Sequence, residues 1–200
     1  MKVNRRTQSD RSAATRGALV AAARPLFAEH GFGGVGTEAI AREAGVTRGA
    51  LYHQFDDKTE LFAAVYETIE QELSAGLGEG LAGSGATEPL EVIALGARAW
   101  LQACADPEIQ QVVLLDGPSV LGWERWREIG MRYGMGLVEG VLSHAVETGS
   151  IPEQPVTPLA HVLIGALDEA ALYIARADDP AKARGEMSAV FDRLIAGLSA

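Results

Sequence analysis

Three observations predict an all-α chain. Ala, Leu, Glu and Arg are common, whereas β-branched and aromatic runs are scarce, a balance that favours helix. Apolar residues recur at threes and fours along successive stretches. Capping and turn residues separate those stretches, most densely over 37–55. The 200 residues allow one large or two small domains, and a hydrophobic share of 48% suffices for a proper core. The pattern divides into a three-helix helix-turn-helix unit over 1–57 and a helical body over 58–200, about nine helices in all.

Residues 1–9 are polar and basic and are expected to be disordered. They form either a frayed tail or an arm that touches phosphates or the minor groove through Arg5 and Arg6. Residues 10–30 read as the first helix, with Leu19, Ala22 or Ala23, Leu26 and Phe27 as its buried stripe. Pro25 removes a backbone hydrogen bond and crowds the preceding turn, so a kink is expected near residues 21–25. Gly31-Phe-Gly-Gly-Val-Gly36 matches G-x-G-x-x-G literally. That motif binds dinucleotides only after a strand and within a βαβ unit. A helical pattern precedes it here, which makes it a flexible connection between helices.

The chain is organised around Thr37–Phe55. Thr37 can cap a short helix. Ile40, Ala41 and Ala44 give that helix one apolar face. Gly45 suits the positive φ of a helix end, and Val46 plugs the turn into the core. Thr47 can cap a second helix from about Arg48 to Gln54, with Leu51 and Phe55 inward. Arg48, Gly49, Tyr52 and His53 are left outside. An arginine can bind a guanine edge bidentately or neutralise a phosphate, and a glycine lets the backbone approach a duplex. The two rings offer an apolar body with a polar tip, suited to a thymine methyl or a phosphate oxygen. Asp57-Lys-Thr-Glu60 resembles a capping box that opens the next helix. Lys58 is unfavourable there for the helix dipole, but well placed for a phosphate. Thr37 and Thr47 are either caps alone or caps that also touch DNA.

A fourth helix is expected over 58–77, through Leu61, Phe62, Val65, Ile69 and Leu73. The cluster Gly76, Gly78, Gly80, Gly83, Ser84 and Gly85 is a composition shift and the best candidate for a joint. Further helices are expected from Glu88 to about Ala105, at 107–115 and over 118–148. In the longest, Trp123, Trp126, Gly130, Tyr133, Leu137, Val141 and His144 recur at helical spacing, so one face is aromatic and inward. Pro158–Arg176 and Pro180–Leu198 end the chain with wide apolar faces. Leu159, Leu163, Ala166, Leu167, Ala170 and Ile174 on the first, with Val190, Phe191, Leu194 and Leu198 on the second, are expected to pair with a second copy as a two-fold four-helix bundle. The other reading is that these residues only close the core of one chain.

Residues 11–66 resemble the DNA-binding domain of the TetR family of bacterial repressors. The resemblance is carried by Leu26-Phe-Ala-Glu-His-Gly-Phe32, by Gly45-Val-Thr-Arg-Gly-Ala-Leu-Tyr-His-Gln-Phe55, and by Lys58-Thr-Glu-Leu-Phe62. Leu114–Trp126 is similar to body segments of some members. The resemblance implies DNA contacts at Thr37, Thr47, Arg48, Gly49, Tyr52, His53 and Lys58. It also implies a homodimer on a palindromic operator, repression more often than activation, and a small-molecule pocket in the body. Residues that offer pocket walls are Trp100, Cys104, Trp123, Trp126, Tyr133 and Tyr173, with Asp116, His144, His161 and Glu169 as polar groups. Aromatics at helical spacing also serve as plain core, His161 also reads as a core histidine, and Asp168-Glu169 also reads as a solvated face.

The net charge of −10 argues at first against DNA binding. Its distribution reverses that: residues 1–58 hold nine Lys/Arg against six acids, whereas the other 142 hold eight against 21. A basic head on an acidic body is the expected polarity of a protein that touches DNA at one end. The one cysteine, Cys104, excludes an internal disulfide and a multi-cysteine zinc site. No apolar run of 18 residues or export signal is read, so a cytoplasmic location is expected. Four scattered histidines and the lack of H-E-x-x-H, G-x-S-x-G or Walker patterns argue against an enzyme, and no cofactor is expected. The remaining alternative is an adaptor that no longer binds DNA.

Overall fold

The computed structural model describes residues 8–199, so Arg5 and Arg6 lie outside the described residues. Among the described residues every regular element is helical. Gln8 and Ser9, expected to be disordered, already belong to α1, Gln8–Gly34. Leu19, Ala22, Ala23 and Phe27 are its buried face. The helical angles continue through Pro25, and the departure falls instead at Gly31, with φ 68°. Gly31 meets two demands there. A Cβ would be strained at that φ, and it would lie 3.1 Å from Gln111 Nε2 and 3.4 Å from Asp116 Oδ2.

Helix α2 is Thr37–Glu43 and α3 is Arg48–Gln54. Between them Val46 N–H donates to Ala41 O at 2.9 Å and Gly45 N–H to Arg42 O at 3.1 Å, with Gly45 at φ 66°. This is a Schellman turn, the helix end that a glycine in this place favours. Ile40, Ala41, Leu51 and Phe55 close the core of the unit, with Val46 partly buried against it.

Helix α4 runs Lys58–Gly83, capped by Asp57, whose carboxylate accepts from Glu60 N–H at 2.9 Å. The expected joint at Gly76–Gly83 is therefore continuous helix, and the chain leaves it only at Ser84. The reason is packing. Leu73, Leu77 and Leu81, four apart and partly buried, line one cavity wall, and that apolar stripe outweighs the poor helix propensity of the glycines.

The body continues with α5 Pro89–Ala103, a π-helix Ile109–Asp116, α6 Gly117–Leu121, α7 Trp123–Glu147, α8 Val156–Ala175 and α9 Pro180–Ala196, followed by a short 3-10 turn. The expected helix over 118–148 is thus two, divided at Gly122 with φ 77°. The largest core cluster includes Leu19, Phe27 and Leu51 of the head, Phe62 and Tyr66 of α4, and Val112, Leu114 and Trp126 of the body. Head and body share one core. A second cluster gathers Ala97, Leu142, Ala145, Leu163 and Phe191 at the far end. Helix α8 is long and apolar enough, by length and composition, to cross a membrane, with a mean hydropathy of 1.3. One of its faces packs in the body and carries Asp168, paired with Arg127.

Gly80 is exposed on α4, and a Cβ there meets nothing within 4 Å. Gly80→Ala is expected to stabilise the protein by about 0.5–1 kcal/mol, measured as a higher urea midpoint with an unchanged slope. Destabilisation would show that the glycines of α4 are required for its path.

Candidate nucleic-acid interface and body cavity

The outward face of α3 carries Arg48, Gly49, Tyr52 and His53, all exposed. Thr47 is the N-cap: its hydroxyl accepts from Ala50 N–H at 3.1 Å. Gly36, not Thr37, occupies the cap position of α2, so Thr37 is the first helical residue and its hydroxyl is released to the surface. There it lies 3.4 Å from the Tyr52 hydroxyl. The Arg48 guanidinium sits 5.5 Å from the centre of the Tyr52 ring and 2.8 Å from Glu38. The Thr37 hydroxyl, and after it Arg48, hold the Tyr52 phenol below its usual pKa. Three adjacent residues of α2 and α3 thus present a cation, a ring and two hydroxyls on one surface. An exposed ion pair such as Arg48–Glu38 is weak and easily exchanged for a phosphate or a base edge.

Lys58, expected at a phosphate, also has partners within the protein. Its ammonium donates to Phe32 O at 2.8 Å and Val35 O at 2.9 Å, and lies 4.0 Å from the centre of the Phe32 ring. It satisfies carbonyls left open where α1 ends, so two of its three donors are committed within the protein.

Asp116 is likewise moved from the pocket to the joint. Its carboxylate accepts from Phe32 N–H at 2.7 Å, the backbone donor freed by the break at Gly31. Arg24 adds ion pairs to Glu108 at 2.8 Å and to Glu72 at 2.6 Å. Arg125 holds Glu60 bidentately, at 2.6 and 2.8 Å, which keeps that carboxyl below its usual pKa.

A cavity of about 140 Å³ lies among α4, α5, α7 and α8. Trp100 and Trp126, both expected there, line it. The other expected wall residues do not. Cys104 is fully buried in the core, where burial raises its thiol pKa. Tyr133 is turned to Glu67, to which its hydroxyl donates at 3.1 Å. Trp123 is 60% exposed, and its ring lies tilted against that of Trp126 at 4.9 Å. Tyr173, His144, His161 and Glu169 are exposed.

The polar lining comes from residues that the sequence did not single out: Tyr66 and Glu70 on α4, and Arg127 on α7. Asp168 on α8, read from sequence as a solvated face, joins them and pairs with Arg127. Burial pushes the Glu70 carboxyl up to about 7 and that of Asp168 up to about 6, Arg127 opposing the second shift. The Tyr66 hydroxyl donates to Trp126 O at 3.2 Å. The Trp100 indole Nε1 is buried with no hydrogen-bond partner among the described residues. A buried acid on an apolar helix face is the one sequence signal that marks the site, and Glu70 lies one residue beyond Ile69 in such a pattern.

A short capped helix with an exposed polar face, braced by a second across a Schellman turn, defines a helix-turn-helix DNA-binding protein, here with a helical body. The chain belongs to the TetR family of bacterial regulators. The family profile "Bacterial regulatory proteins, tetR family" matches residues 19–65, and "Tetracyclin repressor-like, C-terminal domain" matches residues 90–198. The chain is 24% identical over 195 residues to the transposon Tn10 TetC protein of Escherichia coli, with 98% of each chain covered. A TetR-family transcriptional regulator from Pectobacterium atrosepticum superposes with a TM-score of 0.84 and 31% identity, over 96% of this chain and 97% of that one. RolR, solved in complex with resorcinol, shares the fold with a TM-score of 0.76 and 24% identity, over 94% and 90%. By this membership the chain is a DNA-binding transcriptional regulator and not an enzyme.

Glu70 supplies a stability test. Its carboxyl rises from 4.5 to about 7 on folding, so its neutral form is the one the fold favours. The stabilisation is complete below about pH 4.5 and is lost as pH rises through about 7. Glu70→Gln, neutral throughout, is therefore expected to be more stable than the parent at about pH 8, by roughly 1–3 kcal/mol, with the gap closing below about pH 5. Thermal denaturation at the two pH values measures it, and a gap independent of pH contradicts the assignment.

Proposed function

We propose that this chain is a ligand-responsive repressor that binds a palindromic operator as a homodimer in the cytoplasm. The observation that carries this reading is the exposed face of α3. Arg48 and Tyr52 enter the major groove, Gly49 admits the backbone, and His53, Thr37 and Thr47 serve phosphates at its edges. Lys58 orders the end of α1 and offers at most its third donor to DNA.

Dimerisation is supported by apolar surface that one chain leaves uncovered. Val162 is 66% and Tyr173 51% exposed on α8, and Val190 is 42% and Leu194 52% exposed on α9. Of the residues expected at the interface, Leu163, Ala170, Ile174 and Phe191 are buried within the protomer. Leu159, Ala166, Leu167 and Leu198 are partly buried against its core. The interface is therefore built on Val162, Tyr173, Val190 and Leu194, with the others behind it. Two heads on one two-fold axis read two half-sites, which makes the operator a palindrome.

Response to a ligand is supported by the position of the cavity. Its wall includes Tyr66, one turn along α4 from Phe62, which packs on Phe27 at 5.3 Å in the head. Its wall also includes Trp126, whose indole N–H donates to Val113 O at 2.9 Å in the π-helix that ends at Asp116. A molecule that moves either residue shifts the seating of α1. The shift in operator affinity then equals the ligand's preference for one arrangement over the other.

Operator fragments recovered from genomic DNA provide the assay. Arg48→Ala and Tyr52→Ala are each expected to weaken binding by about 1–3 kcal/mol with the fold intact. Lys58→Ala is expected to lower thermal stability more than it changes the salt dependence of binding. Wild-type affinity in both α3 variants would favour the adaptor reading instead. Leu194→Glu, on a half-exposed position, is expected to leave helicity unchanged and turn a dimer into a monomer in sedimentation equilibrium. A variant that remains dimeric places the interface elsewhere.

A further inference from the structure

The cavity is apolar over most of its wall, yet its charged groups do not balance. Glu70, Asp168 and Arg127 line it, and Arg127 is paired with Asp168. Glu70 is only 7% exposed, and no ion pair among the described residues includes it. When ionised it is a buried anion without a cation, an arrangement that costs free energy unless something answers the charge.

What surrounds Glu70 narrows the answer. Tyr66, Trp100 and Trp126 line the same cavity, and aromatic faces attract cations and not anions. On α7, opposite, stands Gly130. Gly130 also lines the cavity, and a Cβ there would lie 3.3 Å from the Tyr66 hydroxyl and 3.8 Å from Glu70 Oε1, so a glycine is what lets α7 come this close to the carboxyl. Leu73, Leu77 and Leu137 extend the wall away from that end. A carboxylate ligand would meet surplus negative charge. A cavity of about 140 Å³ is similar in size to engineered apolar cavities that hold benzene, so one ring is the scale of the apolar part.

We propose that this cavity takes a monovalent organic cation, a protonated amine or quaternary ammonium on an apolar body of about one ring, with Glu70 as its counter-ion and the aromatic walls as its cage. The regulatory sense of this assignment rests on the reading of the cavity as the effector site. Binding requires Glu70 to be ionised, so affinity rises with pH. Of the groups around Glu70, Tyr66 from its own helix favours the ionised carboxyl through a hydrogen bond and Asp168 from α8 disfavours it through its charge, while Arg127 from α7 lines the same cavity and Cys104 at the end of α5 feels the charge of Glu70.

Phenethylamine, phenethyl alcohol and phenylacetate form a cation, neutral and anion series on one ring. Their affinities are measured by quenching of tryptophan fluorescence and by calorimetry, on the full chain and on Glu70→Gln, with circular dichroism to verify folding. The amine is expected to bind about tenfold or more tightly than the alcohol, with the carboxylate weakest. Glu70→Gln is expected to remove that preference while it changes alcohol binding less than about threefold. Affinity for the amine is expected to fall from about pH 8 to about pH 6 as the carboxyl is protonated. Equal binding of amine and alcohol, preference for the carboxylate, or an amine affinity untouched by Glu70→Gln overturns the cation assignment and leaves the effector reading standing. Binding of none of the three overturns the assignment. An amine that binds through Glu70 without changing operator affinity sinks the effector reading and leaves the cation site standing.

Discussion

Six successive residues of α4, Leu61 to Tyr66, are buried, so this part of the helix has no solvent face. A surface helix buries a stripe; one buried all round must have neighbours on every side. Phe62 meets Phe27 and Phe32 of α1 at 5.3 and 5.4 Å, while Tyr66, one turn on, bonds to the backbone of α7. The same helix is therefore structural core for the head and wall for the cavity. Interiors packed this closely do not deform continuously, so a displacement on the cavity side has to be accommodated on the head side.

The connection from α1 to α2 shows how that coupling is kept tight. The break at Gly31 frees the backbone N–H of Phe32, and the end of α1 leaves the carbonyls of Phe32 and Val35 open, which would be costly to leave unpaired. The π-helix supplies Asp116 for the N–H of Phe32, and α4 supplies Lys58 for the carbonyls of Phe32 and Val35. Each partner comes from a different element, so the end of α1 records the positions of both. Exposed ion pairs elsewhere, such as Arg132–Glu67 between α7 and α4, contribute little stability by comparison.

The cavity carries the opposite economy. Glu70, Asp168 and the Trp100 Nε1, which has no partner among the described residues, place polar groups where an apolar residue would be more stable. The π-helix beside it is also a strained choice for a core element, and such segments concentrate at functional sites. Stability is forgone in one place, against the cavity, while the head's own core of Leu19, Ile40, Leu51 and Phe55 is conventional.

How much of this was legible in the sequence follows from the range of the interactions involved. The turn at Gly45, the cap at Thr47 and the outward set Arg48, Gly49, Tyr52 and His53 were readable, because each depends on residues within a turn or two. The family's mark on residues 11–66 was readable for the same reason. The helices of the body were placed by period, yet α4 ran past its glycines, since Leu73, Leu77 and Leu81 gain more from burial than the glycines lose. Lys58 and Asp116 looked like a phosphate ligand and a pocket acid; a break elsewhere in the chain gave both a different partner. Trp123 and Trp126 share a helix and a residue type, but only Trp126 faces inward. Local sequence determined which helices form and which face α3 shows to solvent, because backbone angles and caps respond to near neighbours. Tertiary structure alone decided which apolar or acidic residues line a cavity, close a core or remain bare, because that depends on what distant segments bring against them.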